Sequence, residues 1–233
     1  MYENLLDAAE RTSADVTECG SIWEYPNNRS VLKEREFATF SGMEAVNALI
    51  RGELSDVVWN KLMKRECFAD VRFPVGRVFE DVPTTVKIFT NSKRVCSIPV
   101  SKYHYLQRNG SLSKIHTLNN ILGYWYSHKE RFDYLQSQVD DDIKEKLLRY
   151  CALAIARMWA YYYDFAPEER IICRNDIQEM NTFSRQYIPL FGSLKWPISL
   201  RTGAFLSHFQ CNLSFRMAWA LKRICYKWRR CFT

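Results

Sequence analysis

The sequence lacks the patterns that identify zinc sites, secretion signals and membrane spans. Its eight cysteines form no Cys-x-x-Cys pair, and no histidine lies at zinc-ligand spacing from two of them. The chain has no run of about 18 uncharged apolar residues, and its first residues include neither a basic nor an apolar leader segment. We therefore expect no structural zinc site and no transmembrane helix, and we expect reduced cysteines in the core of a cytoplasmic protein.

The sequence also lacks internal repeats and low-complexity segments. It has 233 residues, of which 47% are hydrophobic, so it contains enough apolar material for a packed core. The formal charge of +7 favours an anionic partner, either a nucleotide, a nucleic acid or an anionic membrane surface. No nucleic-acid-binding motif accompanies this charge, so we rank a nucleic-acid binder last and expect no nucleic-acid partner.

Up to about residue 117 the hydrophobic pattern predicts an α/β domain. The first predicted elements are a helix at 2–11 with Leu5, Leu6 and Ala9 inward, a strand at 16–24 and a turn at 26–28. A second helix opens with a capping box of Ser41 and Glu44 and is expected to bury Met43, Val46, Leu49 and Ile50. The later elements are a helix that buries Val82, Val86 and Phe89, strands at 94–98 and 103–107 with Pro99 ending the first, and a tight loop at 108–111. Residues 59–67 fit either a strand or a helix.

From about residue 118 the pattern is almost wholly helical. One face of a long helix is marked by Ile143, Leu147, Cys151, Ile155, Met158 and Tyr162. We therefore expect two parts, a domain at 1–117 and a helical extension at 118–233. The last helix, Ser214 to Phe232, combines an apolar stripe with basic flanks, which suits either an anionic membrane surface or packing on the domain.

Two adjacent acids, Glu80 and Asp81, precede a helical segment in the stretch GRVFEDVPTTVKIF. Asp81 lies two residues before Pro83, which is typical of a helix N-cap. A carboxylate between a strand and a helix, at the carboxyl edge of a sheet, can also act as a general base on a bound hydroxyl. The two interpretations are compatible, because a capping interaction would hold the carboxylate in place.

Several short motifs around these acids occur in a fixed order. They are Trp59-Asn60-Lys61-Leu62, Arg72-Phe73-Pro74, Gly76, Glu80-Asp81 and the segment YHYLQRNGS at 103–111. In this order and spacing, residues 2–115 resemble the acceptor-side half of family-two glycosyltransferases of the GT-A fold, in the bacterial cell-surface polysaccharide group. The resemblance implies transfer of a sugar from a nucleotide-sugar donor to a saccharide or lipid-linked acceptor, in the cytoplasm or on the inner face of the cell membrane.

The resemblance also implies roles for individual residues. Asp81 matches the catalytic base of inverting members, and Glu80 would support it. Gln107, Arg108 and Ser111 match a loop near the nucleotide diphosphate, although Arg108 also fits a solvated loop tip. The motif at Trp59, Asn60 and Lys61 is expected to contribute to substrate binding, with Trp59 as either a sugar platform or a core residue.

One part of the family pattern is missing. The family binds a divalent cation, Mn²⁺ or Mg²⁺, through an Asp-x-Asp motif that precedes the matching region, and this sequence starts just after the corresponding position. The cluster Asp140-Asp141-Asp142 leads into a helix and is better explained as first-turn charge than as a metal site. We therefore expect a truncated glycosyltransferase, or alternatively a non-catalytic remnant that binds a membrane or a partner protein.

Overall fold

The computed structural model describes residues 1–108, 110–111, 115–190, 193, 195–197 and 200–201. The chain forms two compact units, Met1–Ile115 with Asp133–Ile143, and His116–Phe132 with the described residues of Lys144–Thr233. All the strands in the described part belong to the first unit. The predicted α/β class is confirmed, and its assignment to the GT-A fold stays a prediction.

The first unit is built around one sheet. Its helices and strands are α1 (Tyr2–Thr12), β1 (Val16–Glu24), β2 (Ser30–Lys33), β3 (Ala38–Phe40), α2 (Gly42–Arg51), β4 (Lys61–Met63), a 3-10 turn (Arg65–Phe68), α3 (Asp81–Thr90) and β5 (Val95–Leu106). The sheet order is β2-β1-β5-β3, with β4 also paired to β1. Strands β1 and β5 are parallel, so their carboxyl ends, Glu24 and Leu106, lie side by side. This edge is where open α/β sheets commonly bind ligands.

Strand β5 corrects the prediction of two strands separated by Pro99. The chain resumes its pairing with β1 after the proline, because a bulge accommodates residues 99, 100 and 102: Cys19 lies opposite Ile98, Gly20 opposite Ser101 and Ser21 opposite Tyr103. Gly20 is required at this bulge, since a Cβ atom there would lie 2.4 Å from the carbonyl oxygen of Lys33. Proline therefore bends the strand without ending it.

Helix α1 packs on the sheet through one face. Leu5 and Ala8 are buried against Cys19, Cys96 and Ile98. The prediction that Leu6 points inward is wrong, because its side chain is 52% exposed. The inward positions are three residues apart, and Leu6 lies about 100° around the helix from Leu5.

The other predicted helix faces of the first unit are largely confirmed. In α2, Val46, Leu49 and Ile50 are buried, and the amide of Ser41 donates to the Glu44 carboxylate over 2.8 Å, as the capping box requires. The α2 face was also expected to bury Met43, which is only half-buried. In α3, Val82, Val86 and Phe89 are all buried.

The second unit is helical in its described part. Its helical segments are α4 (Leu118–Leu135) and α5 (Asp141–Tyr161), each shared with the first unit, followed by a 3-10 turn (Tyr162–Asp164), α6 (Pro167–Ile172) and α7 (Arg174–Tyr187). The predicted apolar face of α5 is confirmed for Ile143, Leu147, Cys151, Ile155 and Met158, which are all buried. Tyr162, predicted on the same face, lies in the following 3-10 turn and is only half-buried.

Two further expectations concern membranes and thiols. No helix among the described residues is long and apolar enough to cross a membrane. The predicted helix at Ser214–Phe232 lies outside the described residues. Five cysteines are buried with free thiols, as expected of core residues: Cys19, Cys67, Cys96, Cys151 and Cys173.

Candidate functional site

Asp81 is the first residue of α3, so its interpretation as the N-cap is wrong by one position. Glu80 occupies the cap position, and its side chain makes no capping hydrogen bond. The approach to the helix is tightly folded, with left-handed backbone at Gly76 (φ 74°) and Phe79 (φ 63°). The two acids therefore lie at the helix start, where the N-terminal amides favour negative charge.

The environment of Asp81 makes its carboxylate unusually basic. Burial, followed by the negative charges of Asp56 and Glu80, raises the pKa of Asp81 to about 6, while the backbone amides of Val82 and of Asp81 itself oppose this change. At neutral pH the group is then mostly ionised, and its affinity for a proton is far greater than that of an ordinary aspartate. These are the properties required of a general base.

Asp56 joins Glu80 and Asp81 in one acidic group, and the sequence pattern did not reveal it. It lies in the loop between α2 and β4, and its carbonyl oxygen accepts a hydrogen bond of 2.5 Å from the Thr85 hydroxyl of α3. This bond ties the loop to the helix that carries Asp81. The link joins residues 29 positions apart, so local pattern alone could not reveal it.

A buried ionic network holds the same loop. Glu18 of β1 is fully buried and accepts contacts from Lys61 Nζ at 2.8 Å and Arg35 Nε at 2.6 Å. Burial raises the pKa of Glu18, but the nearby charges of Lys61 and Arg35 outweigh that effect and keep the pKa below its ordinary value. Glu18 also binds the amide and hydroxyl of Ser55, next to Asp56. An acid in the fully buried part of a strand, between Thr17 and Cys19, is the sequence signal that could have indicated this network.

Asn60 and Lys61 are both buried in this region. The Asn60 side-chain amide donates to the carbonyl oxygen of Cys19 over 2.7 Å. Lys61 Nζ donates to the carbonyl oxygens of Ser55 and Val57 as well as to Glu18. The structure thus gives both residues a role in positioning the loop, and their expected contact with a substrate stays a prediction.

Trp59 belongs to a strip of half-buried rings on one face of the sheet. Its ring is stacked on Tyr103, with centroids 4.1 Å apart, and on Tyr105 at 5.2 Å. Trp23 follows at 5.4 Å from Tyr105. We call these four residues the aromatic strip. Trp59 is thus neither a fully buried core residue nor an isolated surface ring.

Gln107 and Arg108 lie in a pocket at the carboxyl ends of β1 and β5. The pocket has a volume of about 440 Å³ and is bounded by the turn 25–30 and residues 106–108. Gln107 is only 5% exposed and Arg108 is exposed. Ser111 is not among the lining residues, and its amide lies 3.4 Å from the Arg108 carbonyl oxygen. The structure therefore groups Gln107 with Arg108, and separately groups Glu80 and Asp81 with Asp56.

The described residues provide no evident metal centre. No group of three or more His, Cys, Asp or Glu side chains in this part of the chain is arranged to hold a metal ion. The divalent cation implied by the family resemblance stays a prediction.

Comparison with known proteins gives one partial match. A segment of 59 residues is 37% identical to Glycosyltransferase GlyA of Streptococcus pneumoniae serotype 4. The match covers 25% of this chain and 8% of that protein. No family model matches the chain. Over this segment the chain is therefore similar to a glycosyltransferase.

Proposed function

We propose that this chain contributes the acceptor side of a glycosyltransferase of the GT-A type. It would transfer a sugar from a nucleotide-sugar donor to a saccharide or lipid-linked acceptor during synthesis of a cell-surface glycan. The observation that carries the proposal is the half-buried Asp81 carboxylate, whose pKa is raised to about 6 at the start of a helix. The partial similarity to a glycosyltransferase supports it.

In the proposed step, the acceptor hydroxyl oxygen attacks the anomeric carbon of the donor sugar. Its proton passes to the Asp81 carboxylate as the new carbon–oxygen bond forms. The bond between the anomeric carbon and the diphosphate breaks, and its electron pair leaves with the nucleoside diphosphate. A divalent cation, when bound, would stabilise charge on that leaving group.

The neighbouring residues would position and tune this base. Asp56 and Glu80 raise its proton affinity through their charges. The network of Glu18, Lys61 and Arg35 fixes the loop that carries Asp56 and Trp59. Trp59 and Tyr103 offer aromatic surface on which an acceptor sugar can stack. By family resemblance, the loop that contains Arg108 and Ser111 is expected near the donor diphosphate, and whether Arg108 meets the donor or an anionic acceptor is a separate question from the role of Asp81.

The test is replacement of Asp81 by asparagine in the chain fused behind the nucleotide-binding half of a family-two glycosyltransferase. Asparagine keeps the shape of the side chain but cannot accept the proton, so we expect transfer to fall about 100-fold or more. Release of nucleoside diphosphate and formation of the glycosylated acceptor measure this rate. Asp70→Asn, an exposed aspartate in the same segment, is the matched control and should retain activity.

Thermal unfolding separates catalysis from structure. The folded-state pKa of Asp81 lies above the ordinary value of 3.8, so its stabilising contribution is complete below pH 3.8 and is lost as the pH rises through about 6. At neutral pH, Asp81→Asn should therefore retain or raise the melting temperature. Normal transfer by this variant, or a marked fall in its melting temperature, would contradict the proposed role.

A further inference from the structure

The pocket at the ends of β1 and β5 contains an unusual buried amide. Gln107 lines the pocket, is 5% exposed, and its Nε2 atom has no hydrogen-bond partner among the residues that the structure describes. Its own backbone amide donates to the Glu24 carbonyl oxygen over 2.7 Å, so its position is fixed. A buried N–H donor without an acceptor is costly, and a ligand oxygen would remove that cost.

Two arginines give the same pocket a positive charge. Arg29 comes from the turn after β1, where its guanidinium lies 5.7 Å from the centre of the Tyr25 ring, and Arg108 follows the end of β5. Within the described part of the chain, neither guanidinium forms a salt bridge. The one carboxylate of the lining, Glu24, contacts His104 Nδ1 at 2.6 Å. Two forked cations and an amide donor suit an oxyanion such as phosphate or carboxylate.

The surroundings of the pocket indicate what carries this anion. Trp23 and Tyr105 immediately precede the lining residues Glu24 and Leu106, so the aromatic strip leads from the pocket towards Trp59. Two ring-to-ring steps, of 5.4 and 5.2 Å, separate Trp23 from Trp59. Trp59 in turn lies three residues after Asp56, whose charge acts on Asp81.

The aromatic strip beside the pocket favours a saccharide as the carrier of this anion. An acceptor that carries an anionic group on a neighbouring sugar can span the strip, with its rings stacked on the aromatic side chains.

We propose that the pocket of Arg29, Gln107 and Arg108 binds the phosphate or carboxylate group of an anionic saccharide acceptor. The saccharide part of this inference rests on the proposed function. The anion site itself can be tested without turnover, because Arg29, Gln107 and Arg108 are not among the groups that shift the pKa of Asp81.

The proposal is tested by the binding of small anions to the purified full chain. Calorimetry and tryptophan fluorescence measure this binding. Three probes share one sugar ring. Glucose 6-phosphate and glucuronate are the anions, and glucose is the neutral reference for both. We expect both anions to bind in the millimolar range and glucose to bind at least about tenfold more weakly. Inorganic phosphate and uridine diphosphate form separate arms that distinguish a free anion and a donor from an acceptor sugar.

Variants identify the site. Arg29→Gln and Gln107→Leu should each weaken anion binding severalfold, whereas Arg51→Gln, an exposed arginine of α2, should not. Gln107→Leu should keep or raise the melting temperature, since it removes an unpartnered buried amide; a purely structural glutamine would give a fall. Asp81→Asn should leave anion binding unchanged, so a failure of the catalytic proposal would not be mistaken for a failure of this one.

Three results would overturn the inference. Absence of binding by every anion at tens of millimolar would show that the pocket is not an oxyanion site. Equal losses in Arg29→Gln and Arg51→Gln would show only general attraction to a basic protein. Arg29-dependent binding of uridine diphosphate without binding of the sugar anions would assign the pocket to the donor.

Discussion

At the scale of single residues, the two neighbours of Asp81 have separable effects on its chemistry. The charge of Asp56 contributes more than that of Glu80 to the raised pKa. Asp56→Asn removes this charge, so the pKa of Asp81 should fall. In the fused enzyme with Asp56 intact, the transfer rate should rise with pH near pH 6 as Asp81 loses its proton. In the Asp56 variant this rise should occur at a lower pH.

The pH dependence of transfer by the fused enzyme measures this effect. Glu53→Gln, an exposed acid of the same loop, is the matched control and should leave the profile in place. An Asp56 variant with reduced activity but an unchanged pH profile would give Asp56 a structural role only.

His128, in the second unit, is another residue whose pKa is shifted by its surroundings. Burial, followed by the positive charges of Arg131 and Arg157, keeps the pKa of His128 well below 6.5. The imidazole lies parallel to the Tyr150 ring at 4.9 Å. The unfolded chain takes up a proton at His128 near pH 6.5 and the folded chain does not, so its contribution to stability is complete above pH 6.5 and declines below it.

Urea unfolding on both sides of pH 6.5 tests this linkage. Replacement by phenylalanine keeps an aromatic ring and removes the proton site, so His128→Phe should lose less stability on acidification than the parent chain. His116→Phe is the control, because that imidazole is exposed and phenylalanine can keep its ring contact with Tyr161. Identical pH dependence in the parent and the His128 variant would contradict the assignment.

At the scale of structural elements, the loop between α2 and β4 depends on one buried acid. Glu18→Gln would leave the Lys61 ammonium buried without its counter-charge, which typically destabilises a protein by about 3–5 kcal/mol. The loop that carries Asp56 and Trp59 should loosen at the same time. Urea unfolding measures the first effect, and transfer by the fused enzyme measures the second.

A matched change at the surface gives the comparison for Glu18. Glu66→Gln alters an exposed acid of the neighbouring 3-10 turn and should change the free energy of unfolding by less than about 1 kcal/mol. Equal effects of the two substitutions would show that the buried ion pair does not hold the loop.

The elements also show what sequence pattern can and cannot reveal. Strand β1 was predicted with its observed bounds, and the buried face of α3 was predicted correctly, because both depend on local periodicity. The continuity of β5 was missed, since a proline inside a strand is tolerated only where a partner strand supplies a bulge. Asp56 and Arg29 were missed because each gains its role from residues distant in sequence.

At the scale of the whole molecule, the motifs indicate a family resemblance, and the glycosyltransferase with which the chain was compared matches a quarter of it. Short motifs identify a site because chemistry fixes their residues. The lengths and packing of the helices are set by many weak contacts, which motifs do not encode. The second unit therefore could be predicted as helical, but not in its aromatic contacts such as Trp125 with Phe183.

The helix at Ser214–Phe232 is a prediction from the sequence, since these residues lie outside the described part of the chain. Its apolar stripe and flanking cations fit either packing on the domain or an anionic membrane surface, where each cation would contribute about 1 kcal/mol, and the family resemblance favours the membrane. The full chain should float with anionic liposomes at physiological salt, and a chain that ends at Asn212 should not. Equal flotation of both chains, or of neither, would contradict membrane binding through this segment.

The bulge in β5 imposes a rule of parity on this part of the chain. One residue of β1, Gly20, lies opposite the four residues 99 to 102 of β5, which is an odd excess. Side chains alternate between the two faces along a strand, and an odd excess reverses this alternation in β5 relative to β1. Tyr103 and Tyr105 therefore lie on the same face as Trp23, where they stack with Trp59. Loss or gain of a single residue here would turn both tyrosines to the opposite face, whereas a change of two would preserve them. Related chains that keep the aromatic strip should therefore differ in length at this point only by even numbers of residues.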